Sequence, residues 1–127
     1  ILGENGTGKE VIARSIHRNS LRSSEAFIGV DMGAISETLF ESELFGHVKG
    51  SFTDAKEDRP GRFEVANKGT LFLDEVGDLP HSTQNLFRKL LQEQRYRPVG
   101  AITEISVNFQ YFVSLFQRLN IVSIVIT

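Results

Sequence analysis

Gly3-Glu4-Asn5-Gly6-Thr7-Gly8-Lys9 stands directly after the apolar pair Ile1-Leu2 and directly before a helical pattern, and its reading decides the fold. The stretch fits G-x-x-x-x-G-K between a strand end and a helix start, the context in which that spacing builds a phosphate-binding loop. Glycines let the backbone turn so that its N–H groups converge on phosphate oxygens. The helix start adds positive dipole, and a lysine supplies a point charge for the outer phosphates. Gly3, Glu4, Asn5, Gly6, Thr7, Gly8 and Lys9, with the adjoining Glu10, are therefore the candidate nucleotide-binding residues. Glu10 stands where the generic motif has a serine or threonine ligand for Mg²⁺, which shifts metal coordination onto phosphates, water and carboxylates elsewhere. The alternative is a glycine-rich turn that happens to contain a lysine. Ile1-Leu2 reads as the end of a strand whose start is missing.

The 127 residues suit one hydrophobic core, or part of one domain, and not two domains. With 24% charged and 40% apolar residues, 11 glycines and 3 prolines, the composition is that of a globular chain and argues against disorder, collagen and coiled coil. A net charge of -2 supplies no general basic field, so contact with DNA falls to other parts of a larger protein. The absence of cysteine excludes disulfides and thiolate metal sites. No leader and no membrane-length apolar run is present, so the expected location is cytoplasmic, with no membrane partner.

Downstream of the glycine-rich opening, Ile12, Ala13 and Ile16 recur at helical spacing from Gly8 to about Asn19. Phe27 to Val30 is a short β-prone run ending on Asp31. Ser36 is placed to cap a helix carrying Leu39, Phe40 and Leu44, with Glu37, Glu41 and Glu43 between them, and the helix stops at Gly46. Residues 46 to 61 show neither periodicity and form a long connection. The run Thr70-Leu71-Phe72-Leu73 then ends on Asp74-Glu75, as a buried parallel strand does when it delivers carboxylates to its C-terminal edge. Leu86, Phe87, Leu90 and Leu91 mark a last helix. Strands alternating with helices predict an α/β fold with a parallel sheet and crossover helices.

The acidic pair divides its labour naturally: Asp74 to hold Mg²⁺, directly or through water, and Glu75 to polarise an attacking water. The alternative is an exposed Asp-Glu turn. The phosphate loop upstream favours catalysis, because strand ends in a parallel sheet lie beside that loop.

Between these motifs, Glu43-Leu44-Phe45-Gly46-His47-Val48-Lys49-Gly50-Ser51-Phe52-Thr53-Asp54-Ala55 closely resembles the surface loop of the sigma-54-dependent transcription activators, the NtrC/NifA-like bacterial enhancer-binding proteins. Their usual core reads GAFTGA; here it reads GSFTDA. GENGTGKE with its unusual Glu10, GRFEVANKGTLFLDE around the acidic pair and LLQEQRYRPVG after the following helix are similar to the same family, and the resemblance runs through residues 1 to 109. It implies a P-loop NTPase of the AAA+ class, with a three-layer core, present as a partial domain. It further implies ATP and Mg²⁺ as cofactors, a homo-hexameric ring, and the sigma-54 RNA polymerase holoenzyme as partner. DNA is then bound only through a domain absent from this sequence, as are the lid subdomain and any receiver domain.

By that resemblance Gly50, Ser51, Phe52, Thr53, Asp54 and Ala55 form the sigma-54 contact, with Phe52 and Thr53 touching the partner as the nucleotide state changes. On residues alone, Phe52 tucked back into the core is the alternative reading. Ser51 and Asp54 depart from the family pattern, Asp54 replacing a flexible glycine with a charge. Asp31 also departs: the family usually carries an asparagine there that restrains the catalytic glutamate. An ionised aspartate has no amide hydrogen to donate, so Asp31 is expected to regulate Glu75 differently.

Beyond Phe109 the resemblance breaks. The family continues through a strand with a sensor asparagine and an arginine reaching the neighbouring subunit; this chain has Gln110-Tyr111-Phe112-Val113-Ser114. Residues 115–124 then resemble a segment found further downstream, which makes 110–127 an anomalous tail best explained by an internal deletion. Arg118 matches the second of two arginines that the family offers across its subunit interface, or is a surface arginine beside an apolar strand. From Val99 to Thr127 the only charges are Glu104 and Arg118, so this segment is expected to be buried. The leading expectation is an ATPase module; a noncatalytic remnant that keeps nucleotide binding, and an unrelated P-loop ATPase, are the other two.

Overall fold

The computed structural model describes residues 6–77, 79–110, 112–117 and 120–127. Helix α1 (Gly6–Arg18) follows the glycine-rich opening, as its 3.6-residue pattern requires. Strand β1 (Phe27–Asp31) leads through a single 3₁₀ turn, Met32–Ala34, to a second, Glu37–Leu39, and then α2 (Phe40–Phe45). The expected cap at Ser36 is not made. Its hydroxyl lies 2.8 Å from Thr38 Oγ1, and the segment opens as 3₁₀ before widening into α-helix. Gly46, at φ 80°, ends α2 as expected.

Residues 46–61 are more ordered than their composition suggests: β2 (Gly46–His47) and β3 (Arg59–Pro60) pair antiparallel at the base of the loop. Helix α3 (Arg62–Val65), strand β4 (Thr70–Asp74) and helix α4 (His81–Glu93) follow. The short pair β5 (Arg95–Tyr96) and β6 (Ile105–Ser106) precedes a terminal hairpin of β7 (Phe112–Gln117) and β8 (Asn120–Ile126).

The main sheet has the order β1-β4-β8-β7. Only β1 and β4 run parallel; β8 lies antiparallel to both β4 and β7, so the sheet is mixed where a parallel one was expected. A continuous apolar run dictates burial on both faces but carries no information about direction, which is set here by the antiparallel registers of β8 with β4 and with β7. The expected burial holds for Ser123 to Thr127 but not for the whole apolar segment: Ile102 is 89% exposed, and Gly100, Thr103, Glu104 and Ser106 are exposed with it.

Side-chain alternation along β4 divides the core into two layers. Leu71 and Leu73 face the larger cluster with Val30, Met32, Phe87, Leu90, Ile124 and Ile126. Phe72 faces the other side, where Ala13 and Ile16 of α1 pack with Phe27 and Val125. The larger layer centres on Phe63, fully buried, stacked on Phe45 at 5.3 Å and edge-on to Phe87 at 5.3 Å and Phe109 at 6.0 Å. Among the described residues, no helix is long and apolar enough to cross a membrane.

On the α1 face, His17 Nδ1 lies 2.7 Å from Thr70 Oγ1, and the Thr70 hydroxyl donates to Thr127 Oγ1 at 2.8 Å. Since the Thr70 hydrogen is committed to Thr127, His17 is the donor to Thr70. All three residues are buried. Thr70→Val removes the shared group and leaves two buried polar partners unmatched. A loss of about 1–3 kcal/mol in urea unfolding is expected, and an unchanged midpoint contradicts this account.

Tyr96 is buried and its hydroxyl has no hydrogen-bond partner among the described residues. Burial, followed by the charge of Glu64, pushes its pKa well above the ordinary tyrosine value. A raised folded-state pKa contributes stability that is complete below the unfolded value near 10 and is lost as pH rises through the folded value. Tyr96→Phe should equal or exceed wild-type stability at pH 8. Between pH 8 and pH 11 the wild type should lose about 1.4 kcal/mol more than the variant in paired urea titrations.

Candidate functional site

The α1 face of the sheet also aligns the candidate nucleotide residues. His17, near the C-terminal end of α1, bonds Thr70 at the start of β4, so the helix runs against the strand. From His17 back to Lys9 is about 12 Å of helix at 1.5 Å per residue, and from Thr70 to Asp74 about 13 Å of strand at 3.3 Å per residue. The helix start and the acidic strand end are thus level with each other. Lys9 is only 5% exposed, well below what a lysine side chain ordinarily shows. Glu10 points elsewhere: it is exposed and pairs with Arg14 one turn on, 3.6 Å from its Nε. Gly3, Glu4 and Asn5 lie outside the described residues, as does Arg118.

Asp74 is half-buried at the end of β4 and in register with Asp31 of β1. Its Oδ1 accepts from the Glu75 N–H at 3.0 Å and from the Ser123 hydroxyl at 2.6 Å. Glu75 has left-handed backbone, φ 53°, a conformation that costs a non-glycine residue about 1–2 kcal/mol and recurs where function constrains the chain. Its carboxylate lies against Gly33: a β carbon there would sit 2.3 Å from Glu75 Oε2 and 3.3 Å from Asp31 Oδ1. Asp31 in turn accepts from the Gly33 N–H at 3.0 Å. The bare Gly33 backbone therefore brings Asp31 and Glu75 to one point.

Among the described residues, no group of three or more histidine, cysteine or carboxylate side chains is gathered to hold a metal by itself. One oriented carboxylate at a strand end is nonetheless what Mg²⁺ uses when nucleotide phosphates supply the remaining ligands, so Asp74 fits that role.

The GSFTDA segment is the tip of the β2–β3 hairpin. Gly50, at φ 81° with open space around its α carbon, begins a turn closed by Gly50 N–H to Ala55 O at 2.8 Å and Ala55 N–H to Phe52 O at 3.0 Å. Lys49 N–H donates to Asp58 Oδ1 at 2.7 Å. Thr53 and Asp54 are exposed, whereas Ala55 is buried and serves the turn, so its side chain offers little contact surface. Phe52 is half-buried, edge-on to the His47 ring at 4.9 Å, and His47 Nδ1 lies 2.7 Å from Ser42 Oγ. Phe52 also lines a groove of about 350 Å³ with Leu39, Ser42, Pro80 and Val99. The aromatic is thus held against the hairpin's own base rather than in the central core.

Two positions at that base, Gly46 and Gly61, admit no side chain. A β carbon on Gly61 would fall 2.3 Å from Gly46 N and 2.4 Å from Leu44 O, and one on Gly46 would fall 2.6 Å from Arg59 O. Val99 adds a third strand-like contact, exchanging hydrogen bonds with Gly46 O at 2.9 Å and Val48 N at 3.1 Å. The RPVG segment after α4 therefore buttresses the loop. Neither Gly33 nor Ser123 was identifiable as a site residue from the sequence, since no motif marks them.

A glycine-rich helix start level with a strand-end acidic pair, in a helix–sheet–helix core, defines an α/β P-loop NTPase domain. More narrowly, the chain belongs to the sigma-54 interaction domain family, the AAA+ domain of sigma-54 activators, whose model matches residues 1–124. It is 49% identical over 108 residues to the transcriptional regulatory protein GlrR of Escherichia coli strain K12, covering 85% of this chain and 24% of that protein. It is 45% identical over 141 aligned positions to a Nif-specific regulatory protein of Herbaspirillum seropedicae, covering 98% of this chain and 26% of the relative. An alignment of 141 positions is longer than this chain of 127 residues, so the relative carries residues with no counterpart here. Among solved structures, NtrX of Brucella abortus superposes with a TM-score of 0.72 at 38% identity, covering 82% of this chain and 22% of that one. The same protein has been solved in complex with ADP, with a TM-score of 0.70, and with ATP, with a TM-score of 0.64. The chain spans about a quarter of the length of these relatives.

Gly61→Ala tests the loop base. The clash with backbone at the end of α2 and the start of β2 should destabilise the domain by about 1–3 kcal/mol and increase proteolysis within 48–58. Wild-type midpoint and cleavage pattern would count against the close packing described.

Proposed function

We propose that this chain is the ATP-binding and ATP-hydrolysing module of a sigma-54-dependent transcription activator. The observation that carries the reading is the level placement of Lys9 at the α1 start with Asp74 and Glu75 at the end of β4. Backbone N–H groups at the α1 start and the loop before it bind phosphate oxygens, and Lys9 adds charge to the outer phosphates. Asp74 would hold Mg²⁺, directly or through water, and the bound ion would supply charge neutralisation at the phosphate oxygens. Glu75 orients the attacking water and accepts its proton.

The coupling route to the partner is short in sequence. From Gly33, against the Glu75 carboxylate, the chain passes through the 3₁₀ turn Glu37–Leu39 and α2 into His47 and the Phe52 loop. A shift of Glu75 on hydrolysis pushes on Gly33 and Asp31, and the short α2 transmits that shift to the ring holding Phe52. Release of Phe52 from His47 then presents Phe52 and Thr53 to the sigma-54 RNA polymerase holoenzyme. The parent protein works as a homo-hexameric ring in the bacterial cytoplasm and binds DNA through another domain. Arg118 is assigned to a neighbouring subunit's phosphates in that ring.

A second reading, a noncatalytic remnant, is favoured by two observations: residues 112–117 and 120–126 pair as an antiparallel hairpin, and a relative aligns over more positions than this chain has. We take residues 110–127 to be a junction made by internal deletion. Steady-state ATPase and nucleotide-binding assays separate the two readings. Lys9→Ala should weaken ATP binding at least tenfold, whereas Glu75→Gln should bind normally and lose about 10²–10⁴ in turnover. Turnover no higher in wild type than in Glu75→Gln, with ATP still bound, supports the remnant. Asp31→Asn should change the ratio of basal to partner-stimulated rates; an unchanged ratio removes Asp31 from regulation.

A further inference from the structure

The α1 face of β4 and β8 carries three facing pairs in register. Thr127 and Thr70 meet at one end, Phe72 and Val125 in the middle, and Asp74 and Ser123 at the other end. The first two pairs are structural: a hydroxyl bridge tied to His17 and an apolar contact under α1. The third reaches the proposed catalytic pair. Ser123 is fully buried, and its hydroxyl donates to Asp74 Oδ1 at 2.6 Å, the length of a charge-assisted bond. The Glu75 N–H donates to the same oxygen at 3.0 Å. Two donors converging on Oδ1 hold the carboxylate in one rotation, although the group itself remains half-exposed at the strand end.

We infer that Ser123 is a positioning residue for Asp74, which makes the C-terminal hairpin a working part of the nucleotide site. The inference rests on the reading of Asp74 as the residue that holds Mg²⁺. A carboxylate that rotates freely loses orientation entropy when it engages a cation, and one held by neighbouring donors has already lost it. Hydrogen-bond partners that orient metal-binding side chains typically account for 10- to 100-fold in metal affinity. The antiparallel register of β8 is what makes the contact available, because it sets Ser123, at the middle of β8, opposite Asp74 at the C-terminal end of β4.

The test is a Mg²⁺ titration of fluorescent ATP-analogue binding by the 127-residue chain, with thermal unfolding measured in parallel. Ser123→Ala should raise the half-saturating Mg²⁺ concentration about tenfold or more, with analogue affinity in EDTA unchanged. Ser123→Thr, which retains the hydroxyl, should restore the wild-type Mg²⁺ dependence. Ser123→Cys, close in volume but a weak donor, should behave as alanine does, and serves if alanine fails to fold. A lowered melting temperature with an unshifted Mg²⁺ midpoint would show a purely structural serine and overturn the inference. Wild-type binding that ignores Mg²⁺ altogether would instead remove Asp74 as the metal-holding residue, and Ser123's role with it.

Discussion

Strand β4 is buried on both faces and hydrogen-bonded along both edges, and the rest of the molecule is arranged around that constraint. Four consecutive residues, Thr70 to Leu73, are buried, so every polar group on them must find a partner within the protein. The backbone is satisfied by β1 on one side and β8 on the other. The one polar side chain among them, Thr70, is satisfied by His17 and Thr127. The strand reaches water only at Asp74 and Glu75. An abrupt change from full burial to partial exposure is how a sheet fixes a carboxylate firmly while leaving it reachable by a ligand.

The two faces of β4 serve different ends. The face toward α1 sets the height of the helix start relative to the acidic pair through the His17–Thr70 bond and the Ala13–Phe72 packing. The opposite face meets an aromatic cluster in which Phe63 touches Phe45, Phe87 and Phe109, and this cluster carries the loop-bearing elements. Phe45 is the last residue of α2 and adjoins Gly46, so the loop base is anchored directly to the most densely aromatic part of the core. The proposed nucleotide site and the loop are thus attached to opposite sides of one strand, joined by the segment that passes Gly33.

Much of this was legible in the residues themselves. The α1 and α4 helices show in their apolar spacing, and β4 in an uninterrupted apolar run ending on two acids. What the residues did not disclose depends on contacts distant in sequence. The direction of β8 was hidden because an apolar run signals burial and not polarity of the chain. The β2–β3 pairing was hidden because it rests on two residues a side and on glycines whose necessity appears only when Gly46, Gly61 and Val99 are seen together. Ser36 has the composition of a cap, yet the turn beside it directs its hydroxyl to Thr38. Within the site, Asp74, Glu75 and Lys9 follow from motif spacing. Gly33 and Ser123 do not, since a glycine beside an aspartate and a serine in an apolar strand are unremarkable until the register is known.

The paired glycines at the loop base carry a consequence for how such loops change over time. Gly46 and Gly61 hold the two ends of the hairpin at backbone contact, with Val99 laid across them, so the ends are fixed independently of what lies between. Closing a longer flexible loop over fixed ends costs only about 0.6 kcal/mol for each doubling of its length. Residues 48–58 therefore behave as an exchangeable cassette, free to diverge in length and chemistry while the frame beneath stays constant. Substitutions such as Ser51 and Asp54 fall inside that cassette, where they change the chemistry of the loop tip without disturbing the frame that holds it.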